Sequence, residues 1–385
     1  MEDVIVLGGG IVGASAAYHL ARAGAQVTLI DQIQPGQATA AGAGIIAPGT
    51  TFKSPPAFFP LAFHAVAHYE GLLERLAEDG EIHTGYETVG LLHVATSAEE
   101  AMRLPILRCL FEERRAAGMK NLGEIRLLDA QESRTLFPAL GLVHGAIYAA
   151  GAARLDGRLM RDALRGAAQV RGARIMSTDQ EARLVREGAR VTRIKVDGRT
   201  FNVGAVIIAT GAWTGQFAQT LELALPVYPQ RGQIVHLQGS AQADQWPIVV
   251  GFHSHYILTF PGGRVVAGAT RENDAGFDVR QTTAGVHEAL GEALRIAPGL
   301  ADTTLHEVRI GLRPATPDGL PILGRVPHIE NVFLATGHGA SGLQLGPHSG
   351  ALVAELLAGH TPELDLSPYA VERFQTHDNG TGHHD

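Results

Sequence analysis

VIVLGGGIVGASAAYHLARAGAQVTLID, from Val4 to Asp31, decides the fold. An apolar strand, Val4 to Leu7, runs straight into Gly8-Gly9-Gly10-Ile11-Val12-Gly13, and a small-residue helix follows from Ala14 to Ala23. A turn at Gly24, a second strand from Gln26 to Ile30 and a closing acid, Asp31, complete the unit. Each position has a physical task in dinucleotide binding. Gly8 permits the tight turn, Gly10 lets backbone approach a pyrophosphate, and Gly13 lets helix and strand pack closely. The helix start at Ile11 and Val12 offers N–H groups to phosphates, while Asp31 and Gln32 lie where a ribose diol is held. A glycine turn alone is a weak signal. Here strand, helix, second strand and acid fall in register; the other reading is a βαβ unit whose glycines merely serve packing.

The chain has 385 residues, which points to two domains, each with its own core. Hydrophobic residues make up 45% and aromatics only 6%, so small aliphatics and 47 glycines dominate, as suits an α/β enzyme with a buried cofactor. A formal charge of −8 without a basic run argues against nucleic acid and anionic membrane surfaces as partners. The single cysteine, Cys109, excludes an internal disulfide and any multi-cysteine metal site, and its helical surroundings read as those of a buried structural thiol. No apolar run approaches ~20 residues, so no integral membrane segment is expected. The strand beginning at Val4 leaves no room for a signal peptide, and a cytoplasmic location follows as the expectation. His64 and His68 are spaced to share a helix face, but no acidic partner completes a metal site, and no metal is expected. The tail, residues 376–385 with His383 and His384, reads as disordered.

Along the chain, a loop rich in glycine and alanine precedes an amphipathic helix over Ala62 to Ala77. GLLHVAT reads as a strand, Glu99 to Ala117 as a charged helix, Asp129 as a helix cap and Gly157 to Val170 as a further helix. AVIIATGAWTGQF repeats the pattern of apolar strand, small-residue turn and helix start. PVYPQRGQIVHL, HYILTFPGG and RVVAGAT alternate as antiparallel strands, with Pro261-Gly262-Gly263 as a hairpin turn. A helix over Ala284 to Ile296, the strand in NVFLATGHGASG and a last helix, Leu343 to Leu357, close the chain. The fold class is therefore α/β: a Rossmann-type domain interleaved with a smaller, mostly antiparallel one. Residues 1–79, 141–220 and 321–375 are assigned to the first, and 80–140 and 221–320 to the second.

Four motifs in this order, GGGIVG with Asp31, GAGIIAP, IIATGAWT, and GLRPATPDGLPILG followed by ATGHGASGLQLGP, resemble the D-amino-acid oxidase superfamily, near its glycine oxidase and D-amino-acid dehydrogenase branch. The similarity spans nearly the whole chain. It implies FAD rather than NAD, bound in extended form with the flavin ring between the domains. By this resemblance Ala43, Gly44 and Ile45 line one side of the flavin, and Ala209, Gly211 and Trp213 lie near the adenosine and pyrophosphate. The loop Gly337, His338, Gly339, Ala340, Ser341, Gly342, with Leu343 and Gln344 in the following helix, lies across from them. That helix N-terminus is placed to stabilise charge on a reduced flavin by ~0.5–2 kcal/mol.

The same resemblance assigns Arg313 to the substrate carboxylate, gripped in a bidentate fork, with the Tyr256 hydroxyl reaching the same group. An arginine tied to Asp318 and a tyrosine that merely packs are the alternatives. Three departures stand out. The second arginine of glycine oxidases is here Ala340, no cysteine stands ready to bind flavin covalently, so a non-covalent cofactor is expected, and Glu181 falls where an aliphatic adenine contact is usual. The implied reaction oxidises the α-amine of glycine, a D-amino acid or an N-substituted amino acid by hydride transfer, and hydrolysis then gives a keto acid. His255 and His338 are candidates for setting the pocket's polarity. The alternatives are a nicotinamide-dependent dehydrogenase, a flavin-binding subunit without catalysis, and a dehydrogenase subunit of D-amino acid, hydroxyproline or opine type. The expected partners are an amine or amino-acid substrate and either oxygen or a redox partner, with homo- or hetero-oligomeric assembly left open.

Overall fold

Val4–Leu7 is buried at every position, as a central parallel strand with covered faces must be. It anchors a six-stranded sheet ordered Ile322–Arg325, Val332–Thr336, Ala205–Ile208, Val4–Leu7, Val27–Gln32, Arg174–Thr178. All its pairings are parallel except that of the two C-terminal strands. The computed structural model describes residues 3–52 and 54–375; the tail 376–385, read above as disordered, lies outside them.

Nine α-helices are formed among the described residues: α1 (Ile11–Arg22), α2 (Ala38–Ala41), α3 (Phe58–Glu78), α4 (Ala98–Ala116), α5 (Ala130–Leu136), α6 (Gly157–Val170), α7 (Ala218–Leu221), α8 (Thr283–Ile296) and α9 (Gly342–Leu357). None is long and apolar enough to cross a membrane. Helix α1 begins at Ile11 rather than Ala14, because Gly10 takes the N-cap position. Its small residues Gly13, Ala14, Ala16 and Ala17 are buried, which lets α6 and α9 pack against it closely. Asp156 caps α6 by accepting from the N–H groups of Arg158 (2.9 Å) and Leu159 (3.4 Å).

The second large sheet has eight strands, ordered Thr304–Ala315, Tyr228–Gln238, Arg264–Gly268, Tyr256–Phe260, Ile248–Val250, Leu91–Val94, Ala146–Ala149, Ile125–Leu128. It is antiparallel apart from the pairing of Ile248–Val250 with Leu91–Val94. Ala146–Ala149 falls inside the span assigned from sequence to the Rossmann-type part, yet it pairs between Leu91–Val94 and Ile125–Leu128. The pairing with Leu91–Val94 joins residues more than 50 positions apart, which a local pattern does not carry. Residues on one face of this sheet, among them Val235, Leu237, Ile257 and Val265, pack against Ala289 and Ala293 of α8. The opposite face, with Ile234 and Tyr256, is turned toward the first sheet.

Cys109 is exposed, contrary to the sequence expectation. The buried stripe of α4 is Leu104, Leu107 and Phe111, and 109 falls off that face.

Candidate active site

A cavity of about 890 Å³ lies between the two sheets. Its first wall is largely backbone. Gly8, with φ +97°, turns so tightly that a Cβ would strike the backbone of Ala209 and Thr210. Gly13 does not line the cavity; a Cβ there would be driven onto the Gly8 carbonyl, so its task is packing. At Gly10 a Cβ would meet only Thr39 Oγ1, at 3.2 Å, leaving its open side to the cavity. Gly44, with φ +95°, presses its backbone against Leu155 in the same manner.

The turn is braced by side chains. Asp31 Oδ1 accepts from the Gly9 N–H at 2.8 Å, and its Oδ2 pairs with Arg165 at 3.1 Å. Thr39 Oγ1, unrecognised in the sequence, accepts from the Ile11 N–H at 3.0 Å. Asp31 and Gln32 both line the cavity, with Ile11 and Val12 beside them. Ala43, Gly44 and Ile45 line it from the segment before α3, and Ala209, Gly211 and Trp213 from the end of Ala205–Ile208. The helix start expected after Thr210 is a 3-10 segment, Gly211–Phe217. Glu181 is exposed and does not line the cavity.

Across from the glycine turn, Gly337, His338, Gly339, Ala340, Ser341, Gly342, Leu343 and Gln344 complete this wall. Gln344 Oε1 accepts from the Ala47 N–H at 3.2 Å, and Tyr69 donates to the Leu343 carbonyl, which pins the start of α9. His338 is buried, its Nε2 has no hydrogen-bond partner, and burial lowers its pKa to about 4. It is a neutral imidazole at physiological pH. Ala340 adds no charge.

The facing wall is built of side chains on the eight-stranded sheet. Arg313 lies over Gly232, where a Cβ would meet its guanidinium at 2.6 Å. Its Nη1 donates to Gln230 Oε1 (3.2 Å) and the Thr270 carbonyl (2.9 Å). Asp318, the alternative partner, is taken by Arg373 at 2.7 Å. Burial lowers the Arg313 pKa, and the neighbouring Arg271 adds to the effect against the opposing pull of Tyr256. Tyr256 is raised by burial, while Arg313 and Arg271 oppose the rise. Among the described residues neither arginine is ion-paired. Arg271 was missed in the sequence; its only local signal is an arginine three residues past the strand RVVAG. His255 lines the rim, with Nε2 3.2 Å from Glu288 Oε1. Among the described residues no group of three or more His, Cys, Asp or Glu is placed to hold a metal ion.

A glycine cradle fused to a parallel sheet, faced by a cationic wall on a separate sheet, defines a dinucleotide-dependent oxidoreductase. The chain matches the DAO family, described as FAD dependent oxidoreductase, over residues 3–356, and it belongs to that family. The oxidoreductase YurR of Bacillus subtilis strain 168 is 42% identical over 374 residues, covering 96% of this chain and 98% of that protein. Glycine oxidase of Pseudomonas aeruginosa is 30% identical, covering 96% of this chain and 98% of its own. The crystal structure of iminodiacetate oxidase from Chelativorans sp. BNC1 superposes with a TM-score of 0.90 at 42% identity, over 95% of this chain and 98% of that one. The protein is thus an FAD-dependent oxidoreductase of glycine-oxidase-like fold. The cradle fits such a cofactor: Gly8, Gly10 and Gly44 line the cavity without side chains, and at Gly8 and Gly44 only a residue lacking a Cβ can take the position that puts its backbone there.

Proposed function

We propose that the protein oxidises a secondary amine carrying two carboxylates, with iminodiacetate as the type substrate. One observation carries the reading: Arg313 and Arg271 face the same cavity and neither is in an ion pair among the described residues, while Glu272, whose charge also acts on Arg313, is held by Arg231. Two like charges at one site are unfavourable until anions arrive, and a dicarboxylic amine supplies two of them. Similarity to iminodiacetate oxidase at 42% identity supports the same class.

In this reading Arg313 holds the carboxylate beside the reacting carbon, and Tyr256 donates its hydroxyl to that group. Burial favours the protonated phenol, the form able to donate. Gln230 and the Thr270 carbonyl fix the guanidinium, so little ordering remains to be done when substrate binds. Arg271, exposed at the other end, takes the distal carboxylate. Ala340 leaves room where a larger side chain would crowd an N-substituent. FAD, when bound, supplies the two-electron acceptor for the α C–H bond. Hydrolysis of the oxidised amine then releases a 2-oxo acid and a primary amine. For the cofactor, Gly8, Gly10, Ile11 and Val12 would receive the pyrophosphate, Asp31 and Gln32 the ribose, and the loop Gly337–Gly342 the flavin.

The test is an anaerobic titration of the yellow holoprotein with iminodiacetate, glycine, sarcosine, D-alanine and D-proline, following flavin absorbance before air is admitted. Bleaching by iminodiacetate at the lowest concentration is expected. Preferential bleaching by D-alanine or glycine would overturn the dicarboxylate reading. Fast return of colour in air identifies oxygen as the acceptor; a slow return identifies a dehydrogenase that needs another.

A further inference from the structure

Behind the cavity-facing ends of α1 and α9 lies a histidine cluster that amine oxidation does not use. His19 comes from α1, His64 and His68 from α3, and His348 from α9. Their rings form a chain. Centroids are 5.2 Å apart for His19 and His68, 5.1 Å for His68 and His348, and 5.9 Å for His348 and His64. Nε2 of His19, Nε2 of His68 and both ring nitrogens of His348 are buried without a hydrogen-bond partner. His19 Nδ1 is anchored, 2.8 Å from the Ser15 carbonyl.

The charges that act on the cluster have the wrong sign to neutralise a proton there. They are Arg75 of α3 and Arg22 of α1. The carboxylates next along, Glu78 and Asp79, are already engaged: Glu78 by Arg22, Asp79 by Arg22, Arg171 and the Tyr18 hydroxyl. Beside the cluster α1 and α9 are in close contact. Ser15 Oγ donates to the Pro347 carbonyl at 2.6 Å across the α1–α9 seam. A Cβ on Gly350 would lie 2.7 Å from the Ala16 nitrogen, and one on Gly346 would lie 2.9 Å from the Ile11 side chain. The four residues are half-buried, but the ring nitrogens named above are enclosed and unpartnered, and a charged imidazole there is stabilised when the helices part and admit solvent to them.

We propose that this seam is an acid-operated release for the cofactor: protonation of the cluster parts α1 from α3 and α9, separates the two helix starts that face the cavity, and lets FAD go. Burial, as the main cause, holds His19 at about 4, His348 at about 3 and His68 at about 2 in the closed state, against 6.5 for a free imidazole. The sign follows by linkage. The closed seam is fully favoured above the ordinary histidine value, and its advantage is lost as pH falls toward the depressed ones.

The experiment steps the yellow holoprotein from about pH 7.5 to about pH 4.5 and measures FAD retained after desalting, with far-UV circular dichroism alongside. Wild type is expected to shed most of its FAD below about pH 6, keep its secondary structure and rebind FAD at neutrality. The double variant H68Q/H348Q should release at least about one pH unit lower. H83Q, at exposed His83, should release with the wild type. Wild type still holding its FAD at about pH 4.5, or a double variant with the wild-type midpoint, would overturn the proposal. Should the double variant not fold, histidine ring-proton titration of the wild type decides. Cluster rings charging in step with FAD loss support the release; rings charging while FAD stays bound overturn it. FAD retention, not turnover, is the readout, so failure here leaves the amine-oxidation reading untouched.

Discussion

On the parallel-sheet side of the cavity the backbone faces the interior at Gly8, Gly10 and Gly44, whereas on the antiparallel side Arg313, Arg271, Tyr256 and Gln230 do so with side chains. At two points the first wall has no spare volume: a single added carbon would collide with main chain at Gly8 and Gly44. The second wall has charge to spare, in two guanidinium groups without carboxylate partners among the described residues. Shape recognition by backbone suits a cofactor that never changes. Recognition by side chains suits a substrate that differs from relative to relative, because side chains can be exchanged without disturbing the sheet.

The contrast predicts which substitutions break the protein and which merely retune it. Gly13→Val should have the largest effect, because its new atoms meet the Gly8 carbonyl. A loss of about 3 kcal/mol or more is expected, seen as a collapsed flavin-to-protein ratio and a lowered Tm. Arg313→Ala should leave FAD bound but lower kcat/KM for carboxylated amines by about 2–5 kcal/mol, roughly 30-fold to several thousand-fold. Arg271→Ala should cost about 1–2 kcal/mol for iminodiacetate and leave sarcosine unaffected, which steady-state kinetics with the two amines would reveal.

Acid sharpens the comparison, because the titrating histidines lie chiefly on the cofactor side. Burial lowers His338 and His19 to about 4, and His236, on the other sheet, also to about 4. Groups depressed in this way stabilise the fold above the ordinary histidine pKa and lose that contribution as pH falls through the folded values. The Tm of the holoprotein should therefore decline from about pH 6.5 to about pH 4; a flat profile over that window contradicts the burial of these rings. Cys109→Ser marks the small end, with a stability change within about 0.5 kcal/mol by thermal unfolding, because the thiol is exposed on α4.

How far the sequence discloses the two walls follows from how local each is. The glycine turn, the helix after it and the closing Asp31 occupy fewer than 30 consecutive residues, and periodicity with glycine spacing reads them directly. The helix Gly157–Val170 is likewise local, with Asp156 as its cap and a buried stripe of Met160, Ala163, Leu164 and Ala167. The substrate wall is not. Arg313, Arg271, Tyr256 and Gln230 come from four places in the chain, and only strand pairing joins them: Gln230 opposite Arg313, Tyr256 opposite Gly268. Arg313 and Tyr256 were visible only through resemblance, and Arg271 through neither resemblance nor pattern. Thr39 was hidden for a related reason. Its hydrogen bond to Ile11 spans 28 residues, and it sits in α2, which at four residues is too short to show periodicity.

In the proposed reading the backbone wall holds FAD while the side-chain wall selects the amine. The most direct test is to measure FAD affinity and anaerobic flavin reduction together in the double variant R271A/R313A. Wild-type FAD affinity is expected, with no bleaching by iminodiacetate at concentrations that saturate the wild type. Loss of FAD binding along with the arginines, or undiminished bleaching without them, would contradict it.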